Sequence, residues 1–201
     1  MARSKSSDVD DADEAELLAG AARGEQAAQR ALFRREYARV FATVSRMLGS
    51  NRDIDDLVQE TFIAVFAALP RFRRESKLAT WIDRIAVNVV LQYMRANRQA
   101  PVLLTVEPPS PTASRLVEQA DAREGLRRLY AALSEMTALS RLAFALYAID
   151  GRSIREVATL MGSTQIAAKV RIWRARREME RRADRDPVLA EFLETHRRRE
   201  R

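Results

Sequence analysis

Residues 78–95 read LATWIDRIAVNVVLQYMR, and apolar side chains recur in this stretch at every third or fourth position. This spacing matches the 3.6-residue period of an α-helix that buries one face. Two preceding stretches carry similar stripes, so we predict three helices that face one another around a shared core. The stripes are Leu78, Ile82, Ile85, Val89 and Tyr93; Phe33, Tyr37, Val40, Phe41, Val44 and Leu48; and Val58, Phe62, Val65, Phe66 and Leu69.

The composition of the 201-residue chain favours an all-α fold. Apolar residues make up 47%, and Gly and Pro number only six each, a balance that suits helices with apolar cores. The chain has no cysteine and a single histidine, His196. Thiolate metal sites are therefore excluded, and a histidine-dependent hydrolase would lack nearly all of its catalytic side chains. We therefore expect no metal, no cofactor and no enzymatic activity. The net charge of +7 favours a polyanionic partner, either nucleic acid or an acidic membrane surface.

Local composition divides the chain into five segments. Residues 1–16 contain six acids and predict a disordered acidic tail, and residues 17–99 form a first helical domain. Four of the six prolines fall in residues 100–115, which predicts a flexible Pro-rich linker. Residues 116–183 form a second helical domain, and residues 184–201 a basic C-terminal extension. Because no apolar run approaches about 20 residues and the N-terminus has no signal-peptide core, we expect a cytoplasmic protein without stable membrane insertion.

The segment DIDDLVQETF, residues 53–62, carries an unusual concentration of acidic residues. Asp53 is placed to cap a helix, and Asp56 lies in its first turn, where the helix dipole favours negative charge. Capping does not explain Glu60, which lies one turn further along. Asp56, Gln59 and Glu60 form an exposed acidic edge on a basic protein, which suits a partner with a basic helical surface.

A basic segment, RFRRESK at residues 71–77, precedes the helix that begins at Leu78. On that helix Trp81, Arg84, Asn88, Gln92 and Arg95 share the face opposite the apolar stripe. Cations, amides and an aromatic ring on one surface can hold phosphates and stack on exposed bases. Taken alone, Trp81 favours a core position, whereas the whole face favours nucleic-acid contact.

Residues 153–177 predict two short helices separated by a turn. Ser153 and Glu156 form a capping box, and Gly162 supplies the turn after the small Ala158. Ser163 or Thr164 caps the second helix, whose packed face is Ala168, Ile172, Ala175 and Met179 and whose other faces are basic. This is the pattern of a helix-turn-helix with its second helix suited to a major groove, although a plain helical bundle also accommodates such a turn.

Together the three segments resemble the extracytoplasmic-function (ECF) group of the sigma-70 family, over about Leu17 to Arg182. DLVQETF at residues 56–62 resembles region 2.2. LPRF at 69–72 with TWIDRIAVN at 80–88 resembles regions 2.3 and 2.4, and GRSIREVA at 151–158 with the following basic helix resembles region 4. The resemblance implies two small all-α domains, a region 2 bundle and a region 4 helix-turn-helix, in a transcription initiation factor that recognises promoter DNA and promotes its opening.

The resemblance also implies partners and site residues. Region 2.2 of the family binds the β′ clamp of core RNA polymerase, which points to Asp53, Asp56, Gln59 and Glu60. Regions 2.3 and 2.4 hold the −10 element, which points to Phe72, Arg74, Ser76, Lys77, Trp81, Arg84 and Asn88. Region 4 reads the −35 element and meets the β flap, and its DNA-binding candidates are Gln165, Lys169, Arg171, Arg174 and Arg176. An anti-sigma factor is an expected further partner, with the apolar surfaces between the two helical blocks as its expected binding place.

The recognition helix departs from the family pattern. The family usually has Gly-Thr-Val-Lys-Ser-Arg where this chain has Ile166-Ala-Ala-Lys-Val-Arg171. Two hydroxyl-bearing positions thereby become Ala167 and Val170, which removes two hydrogen-bonding groups from the predicted DNA-facing helix. Two other functions fit parts of the sequence. A dimeric helix-turn-helix repressor or activator would use residues 153–177 alone, and a basic helical protein that coats membrane or nucleic acid would not need the acidic edge.

Overall fold

The computed structural model describes the backbone of residues 4–49, 52–97 and 113–199, and the side chains of residues 13–49, 52–97 and 123–194. Within these ranges the chain is helical and contains no strand. The helices of the first block are α1 (Ser4–Ala22), α2 (Gln26–Leu48), α3 (Ile54–Ala68) and α4 (Leu78–Ala96). Those of the second block are α5 (Ala113–Ser134), α6 (Ala138–Phe144), α7 (Ile154–Leu160), α8 (Gln165–Ala183) and α9 (Pro187–Arg199). The predicted all-α fold is confirmed.

The first block is a bundle in which α2, α3 and α4 pack on one another and α1 packs on α2. Its centre is built from the predicted stripes: Val40, Val44, Val65 and Ile82 are fully buried, and Phe62 is nearly so. Two stripe positions of α2 differ from the prediction, because Phe33 and Phe41 are each 36% exposed. They lie at the edge of the stripe and join an aromatic cluster with Tyr37, Phe62 and Phe66.

The second block is arranged around α8, which packs on α5, α6, α7 and α9. The helix α6 continues into a π-helical turn at Ala145–Ile149, a local widening of the helix. Here the turn packs on α2 of the first block. Leu142 and Leu146 are fully buried.

Both terminal segments contain a helix, and for the N-terminal one this differs from the sequence prediction. Residues 4–16, predicted as part of a disordered tail, belong to α1, because Leu18 and Ala21 of the same helix are buried and α1 packs along α2. Within the predicted C-terminal extension, α9 packs on α5 through Leu189 and Phe192, which leaves no room for a Cβ atom at Gly125. Residues 98–112 of the chain, most of the predicted linker, lie outside the described residues.

The two blocks contact each other directly. The helix α4 packs on α6 and α7, and one apolar core cluster includes Val44 and Val90 of the first block together with Leu142, Val157 and Ile172 of the second. The apolar surfaces at which we expect an anti-sigma factor to bind therefore cover each other in this structure.

Gly49 and Tyr130 form a close contact between the blocks. Gly49 ends α2 with φ of 74°, a left-handed conformation that favours glycine. A Cβ atom at this position would lie 2.7 Å from ring atoms of Tyr130. The Tyr130 hydroxyl donates a hydrogen bond to the Arg46 carbonyl at 2.7 Å, and burial raises the pKa of Tyr130 to about 12. The ring of one block therefore fits the helix end of the other.

In the part of the chain that the structure describes, no helix has both the length and the apolar character needed to cross a membrane.

Candidate nucleic-acid interface

The acidic edge of α3 consists of Asp53, Asp56, Gln59 and Glu60. The last three side chains are exposed on the helix surface, while Leu57 and Val58 between them are buried. Asp53 precedes the helix without a side-chain capping hydrogen bond, contrary to the capping role that the sequence suggested. Its carboxylate instead accepts a hydrogen bond from the Tyr93 hydroxyl at 2.7 Å, which ties the start of α3 to α4.

The α4 face consists of Phe72, Arg74, Ser76, Lys77, Trp81, Arg84 and Asn88. The segment between the 3₁₀ turn at Leu69–Arg71 and α4 supplies the first four residues, and α4 supplies the other three. All are exposed except Phe72 and Trp81, which are half-buried. Their rings stack with centroids 4.7 Å apart and planes inclined by 34°. Trp81 thus packs against the apolar core beside Phe72, as the sequence favoured for this residue alone, and remains partly exposed.

The helix-turn-helix geometry follows from its capping residues. Ser153 and Glu156 form the predicted capping box at the start of α7, and Thr164 caps α8 through the Ala167 amide. The Ser153 hydroxyl and amide hold the pKa of Glu156 below its usual value. Gly162 adopts φ of 58° in the turn. These contacts fix the start of α8 against α7 and confirm the predicted motif.

The recognition helix α8 separates into a buried face and a basic one. The predicted packed residues Ala168, Ile172, Ala175 and Met179 are buried. Four of the five DNA-binding candidates are exposed, and Arg171 is half-buried. The Arg176 guanidinium lies over the Tyr147 ring, 4.9 Å from its centroid. This cation–π contact holds the Arg176 side chain against the π-helical turn that follows α6.

The α4 face lies next to the helix-turn-helix. A Cβ atom at Gly162 would lie 3.7 Å from Nη2 of Arg84, so the turn between α7 and α8 approaches the exposed side of α4. The structure therefore brings one −10 candidate close to the second block, whereas Asn88 on the next turn of α4 remains exposed.

Charged side chains are buried where the two blocks meet, a feature that the sequence does not predict. Asp83 of α4, with its side chain only 2% exposed, accepts hydrogen bonds from Arg39 and, at 3.0 Å, from Arg152 of the second block. The Asp150 side chain, 3% exposed, accepts hydrogen bonds from Arg46 of the first block and, at 2.6 Å, from Arg152. We call these five residues the junction network. Burial raises the pKa of Asp83 although Arg39 and Arg152 oppose the change, so burying this charge carries a cost.

Comparison with known proteins identifies the family to which each of the two blocks is similar. The family model described as Sigma-70 region 2 matches residues 32–100, and that described as Sigma-70, region 4 matches residues 126–179. The ECF RNA polymerase sigma-E factor of Escherichia coli K12 is 32% identical over 164 residues, which are 77% of this chain and 85% of that protein. The ECF RNA polymerase sigma factor SigG of Mycobacterium tuberculosis is 29% identical over 182 residues, 79% of this chain and 48% of that protein.

Two solved structures share the fold. CnrH, solved in complex with the cytosolic domain of CnrY, has a TM-score of 0.57 at 31% identity and covers 85% of this chain and 96% of its own. The sigma factor RpoE of Bartonella quintana, solved with the anti-sigma factor NepR, has a TM-score of 0.51 at 21% identity, covering 82% and 96%.

Proposed function

Because this chain belongs to the ECF group of the sigma-70 family, we propose that it docks on core RNA polymerase through the acidic edge of α3 and contacts promoter DNA through the α4 face and α8. The family membership makes the chain an RNA polymerase sigma factor, a DNA-binding factor for transcription initiation. The residue-level proposal rests on the separation of charge: a chain of net charge +7 exposes an acidic edge on one helix and cations on two others.

Each surface suits a different partner. The acidic edge complements a basic helical surface, as expected for the β′ clamp. The α4 face would hold the −10 element, where stacking on a ring is worth roughly 1–3 kcal/mol per base and offsets part of the cost of unstacking the duplex. The basic side of α8 would enter the major groove at the −35 element, while the second block also meets the β flap.

Docking on polymerase would give two weak DNA-binding surfaces a fixed separation. Once one surface is bound, the effective concentration of the other at the promoter rises, so their joint affinity exceeds that of either alone. This sigma subunit makes and breaks no bonds itself; the polymerase carries out the chemistry, and the chain acts in the cytoplasm, where the polymerase works. The match to region 2 disfavours a stand-alone helix-turn-helix regulator, which would not need that block.

We also propose an anti-sigma factor as a partner. The CnrH structure contains the cytosolic domain of CnrY, a bound protein. Because the apolar surfaces between the blocks cover each other here, an anti-sigma factor would reach them only after the blocks separate.

Run-off transcription with purified core polymerase on a genomic promoter library tests the proposed function. We expect specific transcripts only when this protein is added, from start sites that share −35 and −10 sequences. A protein that is folded by circular dichroism but yields no specific transcript would contradict the proposal.

Asn88→Ala tests the α4 face. The Asn88 amide is exposed and free to hydrogen-bond with an unpaired base, so we expect about tenfold weaker binding of the holoenzyme to a duplex promoter. Association with core polymerase should stay at the wild-type level. Gln26→Ala removes an exposed amide from α2 and serves as the control. Equal losses in the DNA and polymerase assays would indicate misfolding and count against the assignment.

Lys169→Ala tests the basic side of α8. If this exposed ammonium group neutralises one phosphate, its loss lowers the slope of log K against log salt by about 0.9. The slope is measured by titrating holoenzyme onto a −35-containing duplex at several salt concentrations. Arg30→Ala, which removes the same charge from α2, should leave the slope unchanged. An unaltered slope for Lys169→Ala would show that this residue does not contact DNA.

A further inference from the structure

The recognition helix exposes an apolar strip beside its cations. Ile166 is 76% exposed, Val170 41% and Trp173 56%. Their spacings of four and three residues place them on one side of α8, away from the buried face that holds Ala168 and Ile172. Large apolar side chains kept in solvent contribute nothing to the core, so the fold does not explain why this strip is apolar.

Ile166 and Val170 lie in the half of α8 that follows the turn at Gly162. In a helix-turn-helix, the residues near the start of the recognition helix contact base edges in the major groove. Lys169 is exposed between them, and Arg174 is exposed one turn further on. These charges favour DNA over an apolar protein groove as the occupant of this surface, because they would lose their hydration without compensation in such a groove.

The chemistry of the strip limits what it can recognise. Branched aliphatic side chains cannot hydrogen-bond to phosphates or to the polar edges of bases. The apolar group on the major-groove edge of a base pair is the 5-methyl group of thymine. Ile and Val are also stiff at χ1, so their methyl groups are held in place at little entropic cost.

We propose that Ile166 and Val170 recognise thymine methyl groups in the −35 element. This inference rests on the proposed role of α8 at that element. Ile166 stands where the family usually has glycine, and Val170 where it usually has serine. These departures therefore add two groups able to contact methyl groups and remove one hydroxyl, while Lys169 and Arg174 position the helix on the phosphates.

Replacing thymine by deoxyuridine tests the proposal, because it removes the methyl group and keeps the base pairing. Promoters obtained from run-off selection carry deoxyuridine at one −35 position at a time, in either strand, and holoenzyme affinity is measured by titration. For wild type we expect about fourfold weaker binding at one or more positions, the worth of one buried methyl group. Ile166→Ala and Val170→Ala should each lose the thymine preference at one position, whereas Lys169→Ala should keep it.

A second promoter separates failure of this inference from failure of the proposed function. Exchanging the entire −35 sequence should weaken wild-type binding strongly, and no effect would remove α8 from −35 recognition altogether. If that exchange weakens binding but deoxyuridine has no effect at any position, the methyl-reading role is wrong. Ile166→Ala and Val170→Ala variants that both keep the full thymine preference would overturn it equally.

Discussion

Asp56→Arg combined with Glu60→Arg should abolish association with core RNA polymerase. Both carboxylates are exposed on α3, and neither forms an ion pair with another residue of the described chain, so their charge is available to a partner. Reversing two charges against a basic surface replaces attraction by repulsion and should weaken binding by at least about 100-fold. Biolayer interferometry with immobilised core enzyme measures the loss.

The fold should tolerate this double substitution. Exposed positions usually change stability by about 0.5 kcal/mol or less, with a further 0.3–1 kcal/mol because Asp56 leaves the first turn of α3. Asp13→Arg combined with Glu16→Arg makes the same charge change at exposed positions of α1 and should keep wild-type affinity. A folded Asp56/Glu60 variant that binds core polymerase normally would remove the acidic edge from the docking surface.

Asp150→Arg should separate the two blocks. The Asp150 side chain is almost completely buried between Arg46 and Arg152. An arginine there would place three guanidinium groups together, with Asp83, already bound to Arg39 and Arg152, as the one carboxylate left in the junction network, and breaking a buried pair in this way costs about 3–5 kcal/mol. The equilibrium between the closed arrangement and one with separated blocks should therefore shift toward separation by more than about 100-fold.

Fluorescence energy transfer measures this separation. The chain has no cysteine of its own, so Arg30→Cys and Arg185→Cys, at exposed positions in different blocks, give two unique labelling sites. We expect lower transfer efficiency in Asp150→Arg at unchanged helix content. Asp184→Arg makes the same charge change at an exposed position of the second block and should retain wild-type transfer. Unchanged transfer in Asp150→Arg would mean that the junction network does not hold the blocks together.

The helices could be predicted because local periodicity reports which side of a helix is apolar. Ile82 and Val89 are buried as expected from their spacing. Asp83 could not be placed in the same way: it lies next to Ile82, on the border of the stripe. Its burial depends on Arg39 and Arg152, which come from distant parts of the sequence. Contact between the blocks was missed for the same reason, since surface complementarity leaves no periodic signal.

The exposure of the site residues on α3 and α4 could be predicted from the same periodicity of apolar side chains. Asp56 and Glu60 fall between the buried positions of α3, whereas the bond between Asp53 and Tyr93 joins residues 40 positions apart and left no local trace. Ile166 and Trp173 were missed although a signal existed: once Ala168 and Ile172 are assigned to the packed face, neither residue can share it.

The contact at Gly49 makes close packing of the two blocks sensitive to substitution of a single residue. Every other amino acid at this position would meet both an unfavourable backbone angle and the ring of Tyr130. Gly49 is therefore one of the positions on which close packing of the two blocks depends, and it lies outside every surface assigned to polymerase or promoter. A larger residue at position 49 should therefore loosen the contact between the blocks and leave the residues proposed to bind the promoter unchanged.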